Sequence, residues 1–154
     1  MKTRSIALTF VLCAFVVTVS FAQNANMGTW KLDEAKSEIP AGVGKNTTVT
    51  YSEAGSDIKV TTDGVDVAGK PTHTEWTGKF DGKPYQLAGD PNADFRAYRM
   101  KGERKLQFAN MKGNKTVSNG NIDLAKDGKS RTLTATYFGE KKQKTKAKFV
   151  YEKQ

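Results

Sequence analysis

The chain is nearly devoid of the residues on which small sites are usually built. Its 154 residues include one cysteine, Cys13, and one histidine, His73. These counts exclude a disulfide framework, a Cys/His zinc cluster and a Cys–His nucleophile pair. There is no Gly-x-Ser-x-Gly elbow, no Gly-x-Gly-x-x-Gly fingerprint and no phosphate-loop signature, so those three routes to catalysis are closed. Acidic residues are also in deficit, with 16 Asp+Glu against 25 Lys+Arg. Hydrophobic residues, at 37%, are ordinary for a folded domain, and the length suits a single one.

The one long apolar run lies at the start. Lys2 and Arg4 are the only charges before Lys31, and they precede a 14-residue stretch from Ile6 to Val19. Ser20 and Ala22 then occupy the positions three before and one before a cut after Ala22. Basic, apolar and small residues in that order read as a secretory signal peptide, residues 1–22. The run is shorter than the ~20 residues of a membrane span. Leu12 before Cys13 does not suit a lipoprotein signal. The expected mature domain, 23–154, has no cysteine and no membrane-spanning segment, which fits export to a bacterial periplasm or the medium. Asn46–Thr48 and Asn114–Thr116 match the glycosylation pattern, which carries no meaning in that setting.

Charge is unevenly spread. Residues 23–111 hold 12 basic and 12 acidic side chains, whereas 112–154 hold 11 and 4. The densest part ends the chain. Read with a period of two, Lys142, Lys144, Lys146 and Lys148 share one face, and Thr145, Ala147, Phe149 and Tyr151 share the other. Such a stripe is a solvated strand face, a guard against edge-to-edge pairing, or a surface for an anionic envelope component or protein. Nucleic acid is not expected, because no aromatics are interleaved on the lysine face.

Turn signals recur every 8–12 residues with β-branched or aromatic runs between them. Expected strands include Thr29–Leu32, Thr47–Tyr51, Asp57–Thr62, Thr72–Phe80, Phe95–Met100, Lys105–Met111, Lys115–Leu124 and Arg131–Phe138, followed by the lysine strand. Asp33–Glu38 is expected to form a helical turn capped by Asp33. Asp63-Gly64, Asp81-Gly82 and Asp127-Gly128 are expected turns, and Asp81-Gly82 is the strongest hairpin signal. Short connections favour antiparallel neighbours. The expected fold is therefore all-β, an up-and-down antiparallel meander of about 8–10 strands closing as a barrel.

The opening strand, Asn26-Met-Gly-Thr-Trp-Lys-Leu32, resembles the Gly-x-Trp strand of the calycin superfamily, the lipocalins and fatty-acid-binding proteins. The resemblance implies structural roles for Gly28 and Trp30, with Trp30 plugging one end of a barrel that holds a small apolar ligand. It also implies an arginine over that tryptophan from a late strand, for which Arg131 is the positional candidate. The lipocalin Thr-Asp-Tyr loop is not found. Asp81–Tyr85 and Gly89–Asp94 resemble secreted bacterial proteins of unknown function with a lipocalin-like domain, a similarity that spans most of 26–154.

Candidate chemistry is sparse. Asp90, Asn92 and Asp94 begin like a calcium loop, but Phe95 and Lys101 occupy the positions an EF-hand gives to Gly and Glu. Their expected role is bonding backbone amides in a turn, with no metal. His73 and Glu75, at strand spacing, are expected to be a solvent-facing pair. Trp76, Phe80, Tyr85, Phe95, Tyr98, Phe108, Tyr137 and Phe149 are the candidate lining of a cavity. The expected function is a non-enzymatic, exported protein that binds a small hydrophobic or amphipathic ligand, with no cofactor. The alternative is an interaction or inhibitor module with a filled barrel, acting through loops or the lysine strand.

Overall fold

A computed structural model describes residues 25–139 and 143–154. The signal-peptide expectation and Lys142 lie outside them. Ten strands follow in order: β1 (Gly28–Glu38), β2 (Lys45–Ala54), β3 (Asp57–Val65), β4 (Pro71–Gly78) and β5 (Asp81–Ala88). The second half contributes β6 (Phe95–Met100), β7 (Lys105–Lys112), β8 (Lys115–Leu124), β9 (Ser130–Phe138) and β10 (Lys144–Lys153). Each strand pairs antiparallel with the next, and β1 pairs with β10 to close the barrel. Closure leaves no strand edge open, so the lysines of β10 are not edge guards. β10 is hydrogen-bonded on both sides, to β1 and β9.

Alternation explains the strands. In β4, Thr74, Trp76 and Gly78 are buried while His73, Glu75 and Thr77 are exposed. In β3, Ile58, Val60 and Thr62 point inward, and in β10 Ala147, Phe149 and Tyr151 do. The interior is a single cluster that includes Trp30, Tyr51, Trp76, Tyr98, Leu106, Ile122 and Tyr151.

Three local expectations need correction. Asp33–Glu38 stays within β1, where the register to β10 jumps from Asp33↔Val150 to Glu38↔Lys148. The capping is nonetheless present, because Asp33 Oδ1 accepts the Lys36 amide at 3.2 Å. Ser37 Oγ donates to the Asp33 carbonyl and accepts the Val150 amide, substituting for ladder bonds across the bulge. Asp63-Gly64 is not a turn. It continues β3, and the reversal comes at Asp66–Lys70, where Asp66 Oδ1 accepts the amides of Ala68 and Lys70. Gly64 passes so close to β2 that a Cβ would lie 2.0 Å from the Lys45 carbonyl oxygen, a site only glycine fits.

Asp81-Gly82 opens β5 instead of forming the turn, and the register to β6 shifts between Asp81 and Pro84. The β4–β5 ladder is short, with Glu75↔Ala88 and Trp76↔Leu87 its paired positions. Pro84, which has no N–H, thus falls where β4 offers no partner. The gap is filled from the side: a Cβ on Gly78 would sit 2.5 Å from the Tyr85 ring.

Candidate functional site

One end of the barrel is a floor built on Trp30, which is fully buried. Its indole N–H donates to the Asn26 carbonyl at 2.9 Å, and Ala25 and Met27 pack against the core beside it. The Arg131 guanidinium, from the start of β9, lies 4.5 Å from the Trp30 ring centroid, 4.7 Å from Tyr51 and 5.3 Å from Tyr151. Gly28, with φ of 104°, adopts a backbone that side chains rarely tolerate. Trp30 and Arg131, two of the residues named by the resemblance, are therefore in contact.

Beside the floor, one wall is solid with aromatics. Trp76 packs edge-to-face on Tyr98 at 4.9 Å and on Tyr85 at 5.7 Å, and stacks on Phe80 at 6.4 Å. Its N–H donates to the Arg96 carbonyl at 2.8 Å. Trp76, Phe80 and Tyr85 are thus packing residues and do not line the inner cavity. Phe95 is a further correction. It is 40% exposed, because strand alternation gives the inward position to Arg96.

A cavity of about 60 Å³ remains along the opposite side of the barrel. Of the expected lining residues, Tyr98, Phe108, Tyr137 and Phe149 reach it. Sequence reasoning missed its polar members. Arg96 is buried, its Nε donates to Asn110 Oδ1 at 2.6 Å and its Nη1 to the Tyr98 hydroxyl at 3.3 Å. Asn110 Nδ2 in turn donates to Ser118 Oγ at 2.9 Å. The Tyr151 hydroxyl donates to the Asn46 carbonyl. Burial pushes the Tyr51 and Tyr151 phenols well above the usual tyrosine range, so both stay neutral hydroxyls. The missed signal is period two in Arg96-Ala97-Tyr98, where an arginine holds an inward register.

Above this cavity the barrel opens into a mouth of about 720 Å³. Its rim comes from the β1–β2, β3–β4, β5–β6 and β9–β10 connections, with Val43, Val67, Ala93, Val117 and Phe138 as the apolar surface. Gly44, Asn110 and Tyr137 belong to the walls of both spaces. Val67 is 70% exposed there, an unusual position for a large apolar side chain next to a pocket.

The remaining candidates lie outside. Lys144 and Lys146 project from the barrel without ion pairs to the described residues, whereas Lys148 is bound by Glu38. The stripe therefore presents fewer free charges than its sequence suggests. Asp90 Oδ1 accepts the Asn92 amide, and Asp94 accepts Lys112 Nζ and the Gly113 amide. These carboxylates shape the loop. His73 is exposed, and Asp63, opposite it on β3, is a nearer partner than Glu75, at 2.7 Å against 3.4 Å. Asp63 and then Glu75 raise the imidazole above its ordinary pKa. That contribution to stability is complete below the unfolded value of ~6.5 and is lost as pH rises through the folded one. NMR titration is expected to place the His73 midpoint above ~6.5 and to shift it down in Asp63→Asn; an unmoved midpoint would exclude the pairing.

No protein-family model matches the chain, and no curated protein matches it. Among solved structures, it is similar to EF1p2_mFAP2b bound to DFHBI, at 12% identity over 88% of this chain and 98% of that one, with a TM-score of 0.49. It is also similar to a redesigned β-barrel, mFAP1, bound to DFHBI, at 12% identity over 86% of this chain and 99% of that one, again with a TM-score of 0.49. Neither likeness transfers a ligand to this chain.

Proposed function

We propose that the protein is an exported, non-enzymatic binder of a small amphipathic molecule, seated in the mouth of the barrel. The observation that carries this reading is the mouth itself: about 720 Å³ with an apolar rim, sharing walls with a polar inner cavity. That volume is in the range of ligand sites, ~300–1,000 Å³, whereas the inner cavity alone is not. The ligand's apolar part would lie against Val43, Val67, Val117 and Phe138, and one polar end would point toward Tyr137 and Asn110.

Native mass spectrometry of the protein purified from its own host, followed by organic extraction, tests the proposal. The expected result is a stoichiometric mass of a lipid-like compound, reduced when Val67 and Phe138 are both replaced by Asp. Clean apo protein that also fails to take up small amphiphiles would overturn it.

A second reading is favoured by the small size of the inner cavity, about 60 Å³. A largely filled barrel would act as an interaction module on an anionic envelope partner through Lys144 and Lys146. In that case binding would be salt-dependent and lost in the Lys144→Gln/Lys146→Gln variant.

A further inference from the structure

We infer that the outer wall of the barrel over β6–β10 is a second binding site, separate from the mouth, and that its ligand is an anionic polysaccharide built of uronic acids. The site lies on the face of the interaction reading above and names its partner class. The first sign is in β8, where Ser118-Asn-Gly-Asn-Ile122 runs through the middle of a strand. Asn-Gly is a turn sequence, and asparagine and glycine are poor strand formers. Proteins break such local rules chiefly at functional sites. Gly120 is explained by packing, since a Cβ there would collide with the Thr134 carbonyl. Asn119 and Asn121 are not: they alternate with the buried Ser118 and Ile122, and neither side chain hydrogen-bonds to the described residues.

Register sets these asparagines in two rows of outward side chains. In one, Arg99, Gln107, Asn121, Thr134 and Lys148 oppose one another in turn from β6 to β10. In the other, Ala97 and Ala109 lead to Asn119, Thr136 and Lys146. The rows line two outer grooves, of about 320 Å³ and 770 Å³, that join at Asn119, Gly120 and Asn121. The small side chains of Ala97 and Ala109 deepen the first, and Ile39 and Pro40 wall the second. With strands ~4.8 Å apart, the trough from β6 to β10 is ~19 Å long, which accommodates several linked sugar rings.

The middle of the trough is neutral and its ends are cationic. The amides of Gln107, Asn119 and Asn121 each offer donors and an acceptor, a match for neighbouring sugar hydroxyls. Arg99 stands at one end. Asp81, opposite it on β5, is taken up by the Tyr85 hydroxyl and the Lys83 amide. The Arg99 guanidinium lies over Gly82, where a Cβ would collide with it. Lys146 stands at the other end without an ion pair to the described residues, whereas Lys148 is held by Glu38. Neither row holds a carboxylate between Arg99 and Lys146, so two open cations face an incoming anion without repulsion from the rows. The excess of 11 basic over 4 acidic residues in 112–154 supplies the attracting field. Hydroxyl-reading amides between spaced cations suit a sugar acid polymer better than an acidic peptide, whose side chains carry charge without hydroxyls.

Calorimetric titration of the purified protein with hexagalacturonate, its methyl ester and polyglutamate, at fixed ionic strength, tests the proposal. Hexagalacturonate is expected to bind at least about tenfold tighter than either, the effect of one charge-assisted hydrogen bond, and to weaken as salt is added. Arg99→Gln/Lys146→Gln should erase the preference over the methyl ester. Asn119→Thr/Asn121→Thr should erase the preference over polyglutamate while raising the thermal midpoint, because threonine is the better strand former. A merely structural role for the asparagines would not separate those two readouts. Should either variant fail to fold, the affinity ratios of the unaltered protein still decide. Equal affinity for hexagalacturonate and polyglutamate would overturn the polysaccharide site while leaving an anionic interaction module in place. Equal affinity for the methyl ester would overturn the anionic class. No binding of any of the three would overturn the site and leave the ligand of the mouth unaffected.

Discussion

Trp30→Ala is expected to lower stability by about 3–5 kcal/mol, the usual range for removing a buried tryptophan. The side chain is fully buried and shares its face with Arg131 at 4.5 Å. Truncation opens a cavity in the floor and removes one of the three rings facing a guanidinium whose Nε and Nη1 have no hydrogen-bond partner. It also removes the indole N–H that donates to the Asn26 carbonyl. With total stabilities of ~5–15 kcal/mol typical of single domains, this is a large fraction of the whole. A urea titration followed by circular dichroism should show the midpoint falling with little change in slope. A loss under about 1 kcal/mol would mean that Trp30 does not brace the floor. Trp30→Phe, which keeps a ring beneath Arg131, should recover much of the difference.

Trp76→Ala is expected to cost a similar amount, about 3–5 kcal/mol, by another route. Trp76 is the ring shared by contacts to Tyr85, Phe80 and Tyr98. It lies where the β4–β5 ladder is reduced to two paired positions. Side-chain packing there replaces missing backbone bonds, so the loss should be read first as local opening of β4 and β5. Hydrogen exchange should lose protection in 71–88 before the rest of the barrel. Uniform loss across all strands would show instead that this wall is not a separate weak point. Because Trp30 and Trp76 lie in different parts of the core, their combined cost should be close to additive, and excess coupling would mean that Tyr51 and Tyr98, 6.3 Å apart, transmit strain between them.

The meander was legible because each strand had only to face one way. Alternation in His73–Gly78 and Ala147–Tyr151 marked inner and outer faces, and those assignments agree with burial in β4 and β10, although Thr145, expected on the packed face, is exposed. The turn at Asp127-Gly128 was also legible, since Asp127 Oδ1 accepts the Lys129 amide and Gly128 bonds back to Ala125. Asp63-Gly64 and Asp81-Gly82 misled because the same dipeptide serves a close strand approach and a bulge. β5 was hidden by Pro84, whose exclusion from ladders is harmless where the neighbour is unpaired.

The candidate site was much less legible. Apolar composition pointed to eight aromatics as cavity lining, yet three fill a wall and Phe95 faces solvent. Asp63 joined His73 only through the β3–β4 register.

By itself, the amino-acid sequence determined the existence of most strands, their antiparallel order, the inward face of β4, and the basic outer face of the last. Those depend on local periodicity, which a chain carries in its own order. Tertiary structure alone decided the register in which β1 meets β10, the bulge within β1, and that Arg96 lines the same inner cavity as Arg131. These depend on registers between residues as far apart as Trp30 and Lys153. Closure fixes such distances for every strand at once, and no single strand encodes them.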